Sequence, residues 1–447
     1  MKNIVDIYDV QTAQQAILRR KAWDAVEVTP ALRAGIERIF GAPLTPDQAV
    51  ESILADVRSR GDAALFDYTR RIEGVEIDNL RVSEAEIEAA WQATPVELRE
   101  ALQIAAGRIR AFHEKQYKQS WIDWDDEGGA LGQLIRPLER VGIYAPGGRV
   151  PYPSSLLMAA VPAQVAGVAE VVVVSPPRKD GRIAEVILAA ARIAGVSAVY
   201  KVGGAQAIGA LAYGTQSIPR VDKILGPGNL FVVLAKRRVF GQVGIDGLPG
   251  PTETLILADE SANPALVAAD LLAQAEHDVL ASPICLTPSR ELAVRVQGEV
   301  ARQITSLDRA AVIAEAFAGQ GGIVITDSMA QAMDLANEYA PEHLCLLVRD
   351  PWAWVGRVRN AGGVFVGEDA SEALGDYVVG PTHIMPTGGT ARFGSPCTVW
   401  DFLKITSVFA PAASTVARIA PAAITIADAE GLSAHAAAIA IRQHKRP

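Results

Sequence analysis

Gln274 and His277 stand three residues apart, Glu342 and His343 are adjacent, and Asp376 and His383 flank a Gly380-Pro381 break. An i, i+3 pair on a helix lets two side chains reach one cation, and nitrogen and oxygen donors suit zinc. A Glu beside a His suits proton transfer: imidazole titrates near neutrality, and burial can raise a carboxylic acid toward the same range. Each pattern also has an ordinary reading. Gln274 and His277 could be a hydrogen-bonded helix face, Glu342 and His343 a solvated loop pair, and Asp376 to His383 plain turn chemistry. Glu430 and His435, at the start of the last helix, read equally as an acid on a helix dipole and a surface imidazole. Of the remaining two of six histidines, His113 and His444 sit in charged, surface-like contexts and receive no role.

Two glycine turns could admit a ligand. Gly226-Pro227-Gly228-Asn229 follows an apolar run and precedes a helical one, a place where a phosphate or ribose can meet a helix N-terminus. The full GxGxxG fingerprint is absent, because Phe231 holds the third glycine position. Tyr144-Ala145-Pro146-Gly147-Gly148 is the other turn, with a plain β-turn as its simplest reading.

The elements that must carry these residues follow from periodicity. Asn263 as N-cap and Pro264 in the first turn predict a helix through DLLAQAEHD (270–278), with Asp270, Gln274 and His277 on one stripe at i, i+4 and i+7. From Val168, short apolar runs alternate with Ala-rich helical stretches as far as VGID (243–246). The rhythm restarts at TETLILADE (252–260) and continues through PICLT (283–287), GGIVITD (321–327), HLCLLV (343–348) and GGVFVG (362–367). This alternation predicts an α/β protein with parallel sheets, in two consecutive doubly wound units. Ahead of them lie a polar arm over Met1–Gly41 with no clear core pattern, and a capping box at Thr45–Gln48 opening a helix that Gly61 ends. More helices run to about Tyr117, then an extended stretch spans 131–145. After Gly367 a long Gly/Pro/Thr-rich stretch, of a kind usually functional, leads to a last helical segment.

Bulk properties narrow the class. The chain has 447 residues, half of them hydrophobic, and a net charge of −9. That predicts a large core and argues against nucleic acid or an anionic membrane as the main partner. No apolar run approaches transmembrane length and the first residues lack a signal-peptide core, so a cytoplasmic protein is expected. Cys285, Cys345 and Cys397 form no CxxC pair, which suits a reducing compartment.

Taken together, the segments resemble the histidinol dehydrogenase family. The resemblance is carried by GIYAPGG (142–148), YPSS (152–155), VGGAQAIGALAYGT (202–215), GPGN (226–229), LLAQAEHD (271–278), YAPEHL (339–344), GDYVVGPTHIMPTGGTARF (375–393) and EGLSAH (430–435), and it covers essentially the whole chain. It implies one zinc ion per subunit on Gln274, His277, Asp376 and His435, and an acid/base pair of Glu342 and His343. It implies histidinol contacts at Thr252, His383 and Glu430 besides the metal ligands and the acid/base pair, and NAD contacts at Tyr144, Gln206 and Asn229. It implies an intertwined homodimer in which the C-terminal segment brings Glu430 and His435 to the partner's site. The implied fold is two incomplete Rossmann-like domains with small terminal segments. The boundaries are drawn as an arm over 1–41, a metal and substrate domain of 42–143 with 252–396, an NAD-side domain of 144–251, and a C-terminal segment of 397–447. Thr252 stands where Ser is common in the family, Thr382 where Asn is common, and Ala370-Ser371-Glu372 replaces an SPE-like stretch.

The implied reaction is the four-electron oxidation of L-histidinol to L-histidine through the aldehyde, reducing two NAD. A cysteine thiohemiacetal is the rival route to the acid, but the apolar context of Cys345 favours an inert thiol. Three other readings stay open: a paralogue acting on another small alcohol, a zinc hydrolase using Glu342 as base, and a non-catalytic small-ligand binder.

Overall fold

A computed structural model describes residues 4–20, 28–147 and 151–443. Gly148, at the end of the Tyr144–Gly148 turn, His444, and parts of the N-terminal arm lie outside the described residues.

The chain is an α/β protein built on two parallel sheets. The five-stranded sheet runs Ala198–Lys201, Glu170–Ser175, Arg140–Tyr144, Lys223–Leu225, Gly244–Ile245 across its width. In chain order that is third, second, first, fourth, fifth. The six-stranded sheet runs Ile7–Asp9, Gly322–Ile325, Ser282–Thr287, Glu253–Ala258, His343–Leu347, Gly363–Val366. Without its N-terminal edge strand it repeats the same order. A third sheet, antiparallel, pairs Leu403–Ala410 and Trp121–Trp124 with Ala130–Pro137.

Both parallel sheets are covered on two faces, which is why their strands read as unbroken apolar runs. Val171 and Val173 enter one core layer, and Val172 and Val174 the other. In the six-stranded sheet Ile256, Cys285 and Cys345 face one layer while Leu255, Leu286 and Leu344 face the opposite one. The Thr45 capping box forms as read, and Gly61 stops its helix with φ 56°.

Four readings change. The helix from Pro264 ends at Ala275, so His277 lies just beyond it; its backbone N–H donates to the Gln274 carbonyl at 3.3 Å, a tightened last turn. The stripe is therefore a helix end. His113 is fully buried, because it continues the buried face of Leu102, Ala105 and Ile109, and its Nδ1 sits 2.8 Å from the Ile109 carbonyl. Glu430 caps the end of the Ala413–Ala429 helix and Gly431 breaks the chain before the Ser433–Gln443 helix. The segment without a legible core pattern supplies an edge strand and buries Val5, Ala13, Ile17 and Ile36.

Packing also groups the chain differently from the boundaries drawn above. The helices Pro46–Arg60, Asp62–Tyr68, Glu84–Ala93 and Val96–Glu114 contribute to the two cores of the five-stranded sheet. A boundary after residue 143 would cut the Arg140–Tyr144 strand, which is central to that sheet.

The C-terminal elements cover little of the body. In the Ala413–Ala429 helix only Ala420 and Ala427 are buried, and in the last helix only Ala436. Trp124, Phe409, Ile426 and Ile441 stand more than half exposed.

Candidate active site

A cavity of about 790 Å³ lies between the two parallel sheets. The five-stranded sheet meets it with the C-terminal ends of its strands: Tyr144, Pro176 and the turns at Gly204 and Pro227–Asn229 line it. This is the crevice where the strand order reverses, the usual ligand position in such sheets. The six-stranded sheet meets it with the opposite edge. Thr252, Glu342 and His343 stand at the N-terminal starts of two neighbouring inner strands, Glu253–Ala258 and His343–Leu347. His277, Asp376, Tyr377 and His383 complete this end.

The glycine turns are built for close approach. Gly226 has φ 111°, and a Cβ there would lie 2.2 Å from the Tyr144 carbonyl oxygen. Below it, fully buried Lys236 donates to the Gly226 carbonyl at 3.0 Å and to Asp246, which accepts the Gly226 N–H at 2.7 Å. A buried ammonium needs such a partner. Asn229 caps the following helix through Oδ1, which accepts from Phe231 and Val232 N–H, leaving its amide nitrogen without a partner among the described residues. The Tyr144 hydroxyl accepts the Gly204 N–H at 3.2 Å, and burial pushes its pKa up to about 12. Gln206 is fully buried with both amide atoms unpartnered. It follows the lining residues Gly204 and Ala205 but does not itself line the cavity.

At the other end, Glu342 accepts from the Thr252 hydroxyl at 2.6 Å and from the Glu253 N–H at 3.0 Å. Burial nevertheless raises its pKa to about 8, the two donors pulling the other way. His343, 4.0 Å from Glu342, is driven down to about 3 by burial, so its imidazole is neutral. Burial also lifts Asp376 to about 6 and Glu372 well above the carboxylate range, and it lowers His383. Both His383 nitrogens have protein neighbours: the Asp376 carbonyl at 2.8 Å from Nδ1 and the Ser155 hydroxyl at 3.0 Å from Nε2.

Thr254 lies fully buried between these groups. Its hydroxyl meets Gln274 Oε1 at 2.9 Å, His343 Nδ1 at 3.3 Å and a Glu372 carboxylate oxygen. One hydroxyl has one proton to give and two lone pairs to receive. When Glu372 is ionised, donation to it leaves room for an Nδ1–H from His343 and an N–H from Gln274. Turning the Gln274 amide over satisfies this, and it also removes the orphaned buried Nε2. What then stays free is the Gln274 oxygen and the His343 Nε2 lone pair: one acceptor for a cation and one base.

His277, Glu372 and Asp376 each place a donor atom within 4.8 Å of the others. Two carboxylates and an imidazole at this spacing fit a divalent ion of the zinc type, and the Gln274 amide is joined to Glu372 through the Thr254 hydroxyl. Glu372 was not singled out from the sequence, although its i, i+4 spacing to Asp376 in the Glu372–Tyr377 helix could have found it. Thr254 and Ser155 were likewise missed, since lone hydroxyl residues carry no spacing signal. Glu430 and His435 are exposed and do not line this cavity within one chain.

A sequence model of the histidinol dehydrogenase family matches residues 44–443. The histidinol dehydrogenase of Deinococcus radiodurans is 54% identical over 435 residues, covering 97% of this chain and 99% of that one. That of a Synechococcus strain is 50% identical over 399 residues, covering 89% and 92%. The crystal structure of histidinol dehydrogenase from Elizabethkingia anophelis superposes with a TM-score of 0.90 at 33% identity, covering 99% of this chain and 98% of that one.

Proposed function

The chain belongs to the histidinol dehydrogenase family, and on that premise we propose that it carries L-histidinol through the aldehyde to L-histidine with NAD as acceptor and zinc in the site. It is an oxidoreductase, and the family implies oxidation of histidinol in histidine biosynthesis. The observation that carries the finer reading is the opposition, across one cavity, of a neutral buried His343 beside Glu342 to the crevice of the five-stranded sheet.

A divalent cation held by Gln274, His277 and Asp376, with His435 from a second subunit and with Glu372 alongside, would fix the substrate's nitrogen atoms by Lewis acidity. NAD, when bound at Tyr144, Gln206 and Asn229, supplies the two-electron acceptor. The protein's own part is proton traffic and placement. Thr254 holds His343 in the Nδ1–H tautomer, so Nε2 takes the alcohol proton. Ionised Glu342, steadied by Thr252 and the Glu253 N–H, removes a proton from the water that hydrates the aldehyde. His343 then accepts the hydroxyl proton of the hydrate in the second oxidation. Thr252, His383 and the second subunit's Glu430 would complete the histidinol contacts.

We further propose a homodimer of two Rossmann-like halves per subunit, working in a reducing cytoplasm. The exposed apolar face of the C-terminal segment and three buried free thiols support this. No helix among the described residues is long and apolar enough to cross a membrane. The test is NADH absorbance on mixing purified protein, NAD and L-histidinol. Two NADH per histidinol, lost with a chelator and regained with Zn²⁺, is the expected result. Turnover without NADH would favour a hydrolase, and ligand uptake without turnover a binding protein.

A further inference from the structure

We propose that Arg20 is a positioning residue for the Glu342 carboxylate, acting from the N-terminal segment through Glu253 and the Tyr339–Ala340 turn; the inference rests on the reading of Glu342 as the hydration base. Arg20 lies ahead of the stretch 44–443 that matches the family, and its link to the site is made by contacts alone.

The guanidinium faces two things at once. On one side it forms a two-pronged pair with both carboxylate oxygens of Glu253, one at 2.8 Å. On the other it donates to the Tyr339 carbonyl, at 2.6 and 3.1 Å, and to the Ala340 carbonyl at 3.2 Å. Its plane also lies 3.7 Å from the centre of the Tyr339 ring. A planar fork with five donors is suited to this; a point-charge ammonium is not.

Both partners lead straight to Glu342. The Glu253 backbone N–H donates to the Glu342 carboxylate, and the Glu253 side chain is held from a second direction by the Gly388 N–H at 2.8 Å. Ala340 has φ 53°, the one non-glycine residue with positive φ among the described residues. Such a conformation persists only where its surroundings over-determine it. It is followed by Pro341 and then by Glu342 and His343. One side chain therefore clamps the backbone that delivers the carboxylate and the residue that receives it. Arg20 itself does not line the cavity, so its effect passes through these partners.

The experiment measures histidinol oxidation and histidinaldehyde oxidation separately in Arg20→Ala and Arg20→Lys, with melting temperature alongside. Glu342 acts in the second half-reaction. Arg20→Ala is expected to lower kcat for the aldehyde by roughly 10- to 100-fold, with a smaller fall for the alcohol and little change in KM for NAD. Arg20→Lys should recover part of the loss, since it keeps the charge facing Glu253. Unchanged kinetics, or equal falls in both half-reactions tracking a lower melting temperature, would overturn the inference. If Arg20→Ala does not fold, Arg20→Gln takes the same measurements with the same criteria. A wild-type protein inert toward histidinol instead removes the reading beneath it, and this inference with it.

Discussion

The Thr252 hydroxyl donates to Glu342 at 2.6 Å, and together with the Glu253 N–H it opposes the burial that raises that carboxylic acid to about 8. As a base Glu342 works only when ionised, and its ionised fraction grows with pH. Aldehyde oxidation should therefore climb through about pH 8 and level off above it. Removing a donor to the charged form raises the pKa further, so Thr252→Val should move the limb up by roughly one pH unit, while Thr252→Ser should leave it in place. Rate profiles from pH 6 to 10 decide this; a limb unmoved by Thr252→Val would detach it from Glu342.

Glu342→Gln keeps shape and removes the base. Histidinol should still reach the aldehyde, because His343 Nε2 stays free, but the acid should form at least about 100-fold more slowly. The measurement is NADH released per histidinol consumed, falling from two toward one. Undiminished aldehyde oxidation would withdraw the hydration role from the carboxylate.

The metal reading rests on donor chemistry at His277, Glu372, Asp376 and Gln274. Asp376→Asn and Glu372→Gln should each weaken zinc binding by about 10- to 100-fold, measured by titrating chelator-stripped protein. Thr254→Val should weaken it less, by freeing the Gln274 amide to rotate. If Glu372→Gln binds zinc as tightly as wild type, Glu372 is a hydrogen-bond partner of Thr254 and nothing more.

Cys345 lies two residues from His343 but points into the apolar layer, and burial raises its thiol well above its ordinary range. A thiol so held supplies almost no thiolate, so a thiohemiacetal route is disfavoured. Cys345→Ala should oxidise both alcohol and aldehyde at close to the wild-type rate, while losing about 1 kcal/mol of stability to the small cavity. Accumulation of aldehyde in this variant would restore the cysteine route.

Much of this was legible because both sheets are buried on two faces: VVVV at 171–174 and LILA at 255–258 announce themselves as strands. The repeated βα rhythm pointed to two units, but the strand order they share came only from the structure. What could not be read is which edge of each sheet bears the chemistry. The crevice rule for C-terminal strand ends holds for Tyr144 and Asn229 on the five-stranded sheet. Glu342 and Thr252 sit at strand starts on the other, because the two sheets face each other across the cavity with opposite edges. The end of the helix at Ala275 was also hidden, since nothing in AQAEHD is a strong breaker. Arg20 and Thr254 act only through partners hundreds or tens of positions away, and local patterns do not record such contacts.

Glu430 and His435 provide the sharpest remaining test, since a single chain leaves both exposed and away from the cavity. Large apolar side chains are exposed on the last helix and on the antiparallel sheet: Phe409 is 77% exposed, Trp124 69% and Ile441 69%. The proposed second copy would cover such side chains. If a second copy covers them and lends His435, then Glu342→Gln and His435→Ala damage different chains of the same site. Each variant alone should be inactive in the full reaction. Unfolded together and refolded, they should form hybrids in half the dimers, each with one intact site of two, and so recover roughly a quarter of wild-type activity. Phe409→Glu should shift the protein toward monomers in sedimentation and lose activity with them. Mixed variants that stay inactive while hybrid dimers are seen by mass would mean that His435 does not cross between subunits.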